Sequence, residues 1–332
     1  MSTTGVGSPK PGSWSQRPWW PWLRRVLVTV FFALVLGLLL SQARRMDWPA
    51  VLAALQHYPL AAVGAAALLV VASFGAYSCF DLLGRHYTHH GLGTPTVMGV
   101  TFISYVFNLN LGSLVGGVAF RFRLYSRLGL APGVITRILS LSMLTNWTGY
   151  LLLGGLTFSL MPPALPADWA IKALALRGIG VVMLVIVAFY GAMCAFSPQR
   201  TFTVRGHRLE LPLARLAALQ LVLGVGNWLL MSGAIYMLLQ QQVAFFTVVG
   251  ALLLAGAAGA VTHIPAGLGV LEAVFLSLLS HQLPAPVILA ALVAYRVMYY
   301  LIPLGVAVVA YGVMEVRAKR LKPALKTGSS SA

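Results

Sequence analysis

Nine apolar runs follow one another along the chain with short polar joints between them, at 26–40, 60–80, 96–120, 132–160, 179–196, 216–239, 243–261, 268–279 and 286–313. A helix that crosses a bilayer needs about 20 mostly apolar residues. Several of these runs are long enough, and their number excludes a single anchor on a water-soluble body. The charges agree. Only 9% of residues are charged, against about 25% in a soluble domain, too few to cover a water-facing surface. The chain is therefore expected to be an all-α polytopic membrane protein. The longest polar stretches are residues 1–25, 197–215 and 317–332, none long enough for a soluble domain.

The few charges are lopsided: 23 Lys and Arg against 6 Asp and Glu. The six acids, Asp47, Asp81, Asp168, Glu210, Glu272 and Glu315, leave little room for paired-carboxylate catalysis or an acidic metal site. Cys79 and Cys194 lie in apolar runs and read as small core residues. His86, His89 and His90 share a loop with few other ligands nearby, so no metal is expected. A net charge of +17 would suit nucleic acid if it lay on one soluble face. Here it sits in short clusters between apolar runs, the pattern of cytoplasmic loops, and no nucleic-acid partner is expected.

Two runs differ from the rest. Run 96–120 contains Asn108, Asn110, Gly112, Ser113, Gly116 and Gly117; the region 243–283 is interrupted by His263, Ile264, Pro265, Ala266, Gly267, Leu268 and Gly269. Such density of Gly and Pro breaks a helix, and the freed backbone groups cannot face lipid. The basic residues then fix the topology. If 96–120 enters and leaves on one side, 17 of the 23 basic residues are cytoplasmic and four, Arg44, Arg45, Lys172 and Arg177, are outside. Full crossing reverses the ratio. The positive-inside rule favours a re-entrant hairpin, with both termini cytoplasmic. The expected architecture is six clear spans plus two broken helical hairpins, 96–120 and 243–283, entered from opposite sides. That is the pattern of an inverted repeat, whose broken helices mark substrate sites in transporters.

Glu272 is read as the only carboxylate deep in an apolar segment, where a charge is costly unless paired, protonated or facing a polar cavity. It could cap the helix opening at Gly267 and Gly269, or pair with Arg296, which lies in the last run beside Tyr295, Tyr299 and Tyr300. Arg296 could also receive a phosphate or snorkel to an interface. In the first broken segment, unwound amides around Asn108, Asn110, Gly116 and Gly117 could cradle an anion, with Arg121 and Arg123 attracting it. The small residues equally suit close helix packing. Asp81 is expected to pair with Arg85 at i,i+4, and His263 to be a hydrogen-bonded structural residue. Trp14, Trp19, Trp20 and Trp22, with Arg24 and Arg25, read as an interfacial anchor before the first span.

These motifs resemble the transmembrane, flippase-like region of lysylphosphatidylglycerol synthase, and more closely the stand-alone inner membrane proteins of that type, the YbhN-like group. The resemblance runs over 26–316. It rests on Asn108 through Gly116-Gly117 to Arg121, on Ile264-Pro265-Ala266-Gly267-Leu268-Gly269-Val270-Leu271-Glu272, and on Tyr295-Arg296 with Pro303. The family's Pro-Gly-Gly reads Leu111-Gly112-Ser113 here, and one family glycine is Ala266. The resemblance implies one flippase-like transmembrane domain over 26–316, between a basic, aromatic cytoplasmic tail (1–25) and a basic cytoplasmic tail (317–332). It implies a bacterial inner membrane protein that handles a phospholipid or polar lipid headgroup. In the synthase this region moves an aminoacylated phospholipid between leaflets. The synthase's soluble transferase domain has no counterpart here, so the chain is not expected to make that lipid.

Leaflet translocation is the first functional expectation, with Asn108, Asn110, Gly116, Gly117, Arg121, Pro265, Gly267, Gly269, Glu272, Tyr295 and Arg296 as the site. No nucleotide-binding motif or other cofactor signature occurs, so a gradient or lipid asymmetry would drive it. The alternative is a non-transporting accessory subunit of a phospholipid-synthesising enzyme. An intramembrane Ser113–His263 enzyme lacks an orienting group and an oxyanion motif, and no enzymatic activity is expected.

Overall fold

Prolines at or beside the first residue start several of the apolar helices, as suits a ring that fixes φ and lacks an N–H that the first turn would leave unbonded. A computed structural model describes residues 58–166, 169, 172–198, 201–204, 207–262 and 264–327, with Pro49 and Ala53. The tail 1–25, the expected first span at 26–40, and His263 lie outside the described residues. The helices are α1 (Leu60–Ser78), capped by Pro59, and α2 (Phe80–Thr88), then α3 (Thr94–Leu111), with a proline in its first turn. After the first break come α4 (Phe120–Arg127), α5 (Pro132–Leu160) and α6 (Ala173–Phe196). A small antiparallel hairpin follows, β1 (Thr201–Val204) and β2 (His207–Glu210), with Thr201 opposite Glu210. The chain continues as α7 (Ala214–Leu238), α8 (Phe245–Thr262), α9 (Val270–Leu279), α10 (Ala285–Arg296) and α11 (Ile302–Thr327).

The protein is thus a helical membrane protein. Five segments of the described chain are long and apolar enough to cross a bilayer: Leu60–Thr88, Ala173–Phe196, Ala214–Leu238, Phe245–Thr262 and Ala285–Met314. Four coincide with expected clear spans. Helix α5 occupies a fifth, 132–160, and carries several polar residues, among them Thr136, Ser140, Ser142, Thr145, Asn146 and Thr148. It packs against both α6 and α7. One of its buried hydroxyls is bonded on both sides: Thr145 donates to the Leu141 carbonyl at 2.8 Å, and Gln220 of α7 donates to Thr145 at 3.1 Å, while the buried Ser142 and Thr157 hydroxyls have no hydrogen-bond partner among the described residues. Gly149 and Gly224 let α5 and α7 touch backbone to backbone; a methyl group on either would collide with the other helix, as at close membrane crossings. The last helix runs from the membrane-length segment to Thr327, so the basic tail begins as a continuation of the span.

Both expected breaks are present. Helix α3 ends at Gly112, whose φ of 86° and ψ of 165° suit glycine, and a π-helical turn, Ser113–Ala119, leads into α4. The chain reverses there and returns along α3. Gly116 lies so close to the Phe107 carbonyl that a Cβ would strike it, and the Phe107 and Phe120 rings stack at 4.2 Å. The second break has unequal arms. At about 1.5 Å per residue, the 18 residues of α8 span close to the hydrocarbon thickness of about 30 Å. The 10 residues of α9 reach only about halfway. Between them, Ala266, Gly267 and Gly269 all have positive φ (56°, 55° and 77°). Helix α3 packs against the turn Pro265–Gly267, so the two broken segments meet.

Candidate functional site

At the second break, Glu272 and Arg296 form an ion pair. The Arg296 Nε–H donates to Glu272 Oε1 at 2.5 Å and Nη2 donates to Oε2 at 3.0 Å. The same guanidinium reaches the unwound backbone: Nη1 donates to the Ala266 carbonyl at 3.1 Å and Nη2 to the Gly267 carbonyl at 3.0 Å. Glu272 also accepts the Gly269 N–H at 3.0 Å. It therefore caps α9 and pairs with Arg296 at once, so two alternative roles of the carboxylate are a single arrangement. The side chains keep 12% and 15% exposure, a partly open site. The Tyr300 ring lies 5.4 Å from the guanidinium carbon, within cation–π range.

The fold explains this convergence. Two carbonyls freed by the break have no helical partner, and Arg296, at the end of α10, carries enough donors for both and for a bidentate carboxylate. Ala266 sits in the left-handed region, which costs a non-glycine residue about 1–2 kcal/mol. Changing Ala266 to Gly removes that strain but gives the unfolded chain about 0.4–1 kcal/mol of entropy. We expect a net stabilisation of about 0.5–1 kcal/mol, read as a raised melting temperature in detergent; a lowered one would contradict the assignment.

The first break holds a second ion pair, which corrects one expectation. Asp81 does not pair with Arg85, whose Nη1 donates to Thr94 Oγ1 at 2.6 Å. Asp81 faces Arg121 instead, Oδ2 to Nε 3.3 Å, with side-chain exposures of 0% and 3%. Tyr125 donates to the same Oδ2 at 2.9 Å. Asp81, not Glu272, is thus the more deeply buried acid, and Arg121 is already neutralised. The remaining expected residues are less concentrated. Asn110 bonds its own helix at the Val106 carbonyl, 2.9 Å away. Asn108 lies against Gly117, and its carbonyl accepts the Gly112 N–H at 2.9 Å. Tyr295 is buried and stacks on Tyr299 at 5.1 Å.

Tyrosines join the two ion pairs. From Tyr300 and Tyr295 the path runs to Tyr299, whose hydroxyl lies 3.1 Å from that of Tyr105 and 2.8 Å from Ser73 Oγ. Ser73 donates to Asn227 Oδ1 at 2.8 Å. Tyr105 stacks on Tyr77 at 3.4 Å, and the Arg121 guanidinium lies 5.8 Å from the Tyr77 ring. A second π-helical turn, Val297–Leu301, helps place these rings, because it brings residues five apart onto one face. Ser73, Tyr77, Tyr105 and Asn227 are not among the residues expected at the site. Their signal was a polar atom inside an apolar run, which in a membrane calls for a partner.

The profile of the family described as the lysylphosphatidylglycerol synthase TM region matches residues 25–307. Inner membrane protein YbhN of Escherichia coli (strain K12) is 44% identical over 306 residues, covering 92% of this chain and 96% of that protein. Uncharacterized protein slr0712 of Synechocystis sp. (strain ATCC 27184 / PCC 6803 / Kazusa) is 32% identical over 304 residues, covering 90% and 94%. Both broken segments and both ion pairs fall inside the matched region, and the chain belongs to the lysylphosphatidylglycerol synthase transmembrane-region family.

Proposed function

We propose that the protein translocates a phospholipid or another polar lipid between the leaflets of the bacterial inner membrane, without enzymatic turnover. Residues 26–316 would be one transmembrane domain, with both termini cytoplasmic and the two broken segments as halves of an inverted repeat. The observation that carries the reading is the Glu272–Arg296 pair on unwound backbone. A guanidinium held bidentately by a carboxylate presents the geometry that phosphate oxygens also fit. A headgroup phosphate would replace the Glu272 carboxylate on Arg296 while the Ala266 and Gly267 carbonyls hold the guanidinium in place. Glu272 would then turn to a proton, a cation or a positive group on the lipid. Asn108, Asn110, Gly116 and Gly117 would form the facing side, with Arg121 held behind them by Asp81. Pro265, Gly267 and Gly269 would keep the backbone open, and Tyr295 would line the way.

The test is leaflet exchange of a fluorescent phospholipid in vesicles containing the purified protein. The expected result is exchange well above that of protein-free vesicles across several headgroups or for one of them. Exchange at the protein-free rate for every headgroup would refute translocation.

A further inference from the structure

Away from both ion pairs, a cavity of about 560 Å³ lies between α1, α3 and the start of α11. Its size is that of a site for a small molecule or a chain. Its lining is almost wholly apolar, including Val71, Phe74, Phe102, Met298, Ile302 and Val306. Val71, Ile302 and Val306 are 69%, 58% and 54% exposed and belong to segments of membrane-spanning length. The cavity therefore opens sideways, where hydrocarbon replaces water.

Its inner wall is Phe74, in edge-on contact with Phe102 at 5.4 Å. The other side of Phe74 is polar. Tyr299 and Tyr105 lie 4.9 and 5.5 Å from its ring. Ser73, its neighbour in sequence, ties Tyr299 to Asn227. One aromatic ring thus separates an apolar groove open to the bilayer from a buried junction of hydroxyls and an amide. Tyr295, stacked on Tyr299, and Tyr300, edge-on to Tyr295, continue that junction to Arg296. The ligand complementary to both sides is amphipathic, with a hydrocarbon chain for the groove and a hydrogen-bonding head for the junction.

We infer that this groove is the acyl-chain subsite and lateral entrance for a membrane phospholipid, and that Phe74 is the ring its headgroup passes to reach the tyrosines. The inference rests on the translocation reading and adds to it the place of entry.

Gly75 and Gly99 line the groove, and a Cβ added to either meets no atom within 4 Å. Leucine at these positions therefore grows into the groove without displacing backbone. The experiment reconstitutes the full chain with palmitoyl-oleoyl phosphatidylglycerol carrying a diazirine on its acyl chain, and maps the photo-adducts. The expected result is wild-type labelling at Met298 and Phe102 that falls about tenfold in Gly75→Leu and Gly99→Leu, the scale of overfilling a site by one side chain. Labelling of the outward residues Val181 and Val185 on α6 stays constant in the same samples, and an unchanged melting temperature certifies the fold. Groove labelling that survives both substitutions would overturn the subsite. Leaflet exchange, measured on the same vesicles, separates the two claims. Lost labelling with undiminished exchange would overturn the entrance. Groove labelling in a wild type that exchanges no lipid would refute translocation, and the entrance with it, while leaving an acyl-chain site.

Discussion

Replacing Asp81 with Asn is expected to destabilise the protein by about 3–5 kcal/mol, the loss on breaking a buried ion pair from one side. Arg121 has 2% exposure and would be left with an uncompensated charge. Tyr125 would keep an acceptor in the new amide, so the loss reports the charge and not the hydrogen bond at 2.9 Å. Arg121→Met should be similarly damaging, because it strands the carboxylate. The double variant Asp81→Asn/Arg121→Met should recover most of the loss, since a neutral, well-packed pair of similar volume often matches a buried salt bridge. Thermal unfolding in detergent checks all three. Single variants within about 1 kcal/mol of wild type would mean that the pair is solvated, contrary to its burial.

The second large effect is expected at Arg296. Alanine there removes two hydrogen bonds to Glu272 and the donors to the Ala266 and Gly267 carbonyls. A hydrogen bond to a charged group contributes about 1.5–3 kcal/mol. If such a bond holds the lipid phosphate in transit, exchange falls by about 10–100-fold. Glu272→Gln isolates the charge, because the amide oxygen still caps the Gly269 N–H. Its stability loss should be smaller than that of Asp81→Asn, since the Glu272 and Arg296 side chains keep 12% and 15% exposure. Glu272→Ala loses the cap as well, at a further cost of about 1 kcal/mol.

What the sequence made legible is what one-dimensional physics determines. Gly112 and the stretch from Pro265 to Gly269 cannot continue a helix, and both breaks stand where expected. Two isolated intramembrane charges need each other, so Glu272 and Arg296 could be paired across 24 residues. The Asp81–Arg121 pair was not legible, because Arg85 stood at helical spacing and Asp81 appeared to end its segment. In the structure the helix continues to Thr88, Arg85 turns to Thr94, and Asp81 points inward. The junction of Ser73, Tyr105, Asn227 and Tyr299 was hidden for another reason. Small polar groups barely lower the hydropathy of a run, and their importance appears only when α1, α3, α7 and the π-helical turn before α11 bring them together. The β1–β2 hairpin lay in a stretch too short and polar to announce strands.

Lipid passage at the Glu272–Arg296 site is decided by leaflet exchange measured for wild type, Glu272→Gln and Arg296→Ala in matched vesicles, each at equal folded content. If lipid passes there, wild type exchanges lipid above background and both variants stay near background. Variants that fold and exchange lipid at the wild-type rate would contradict passage there.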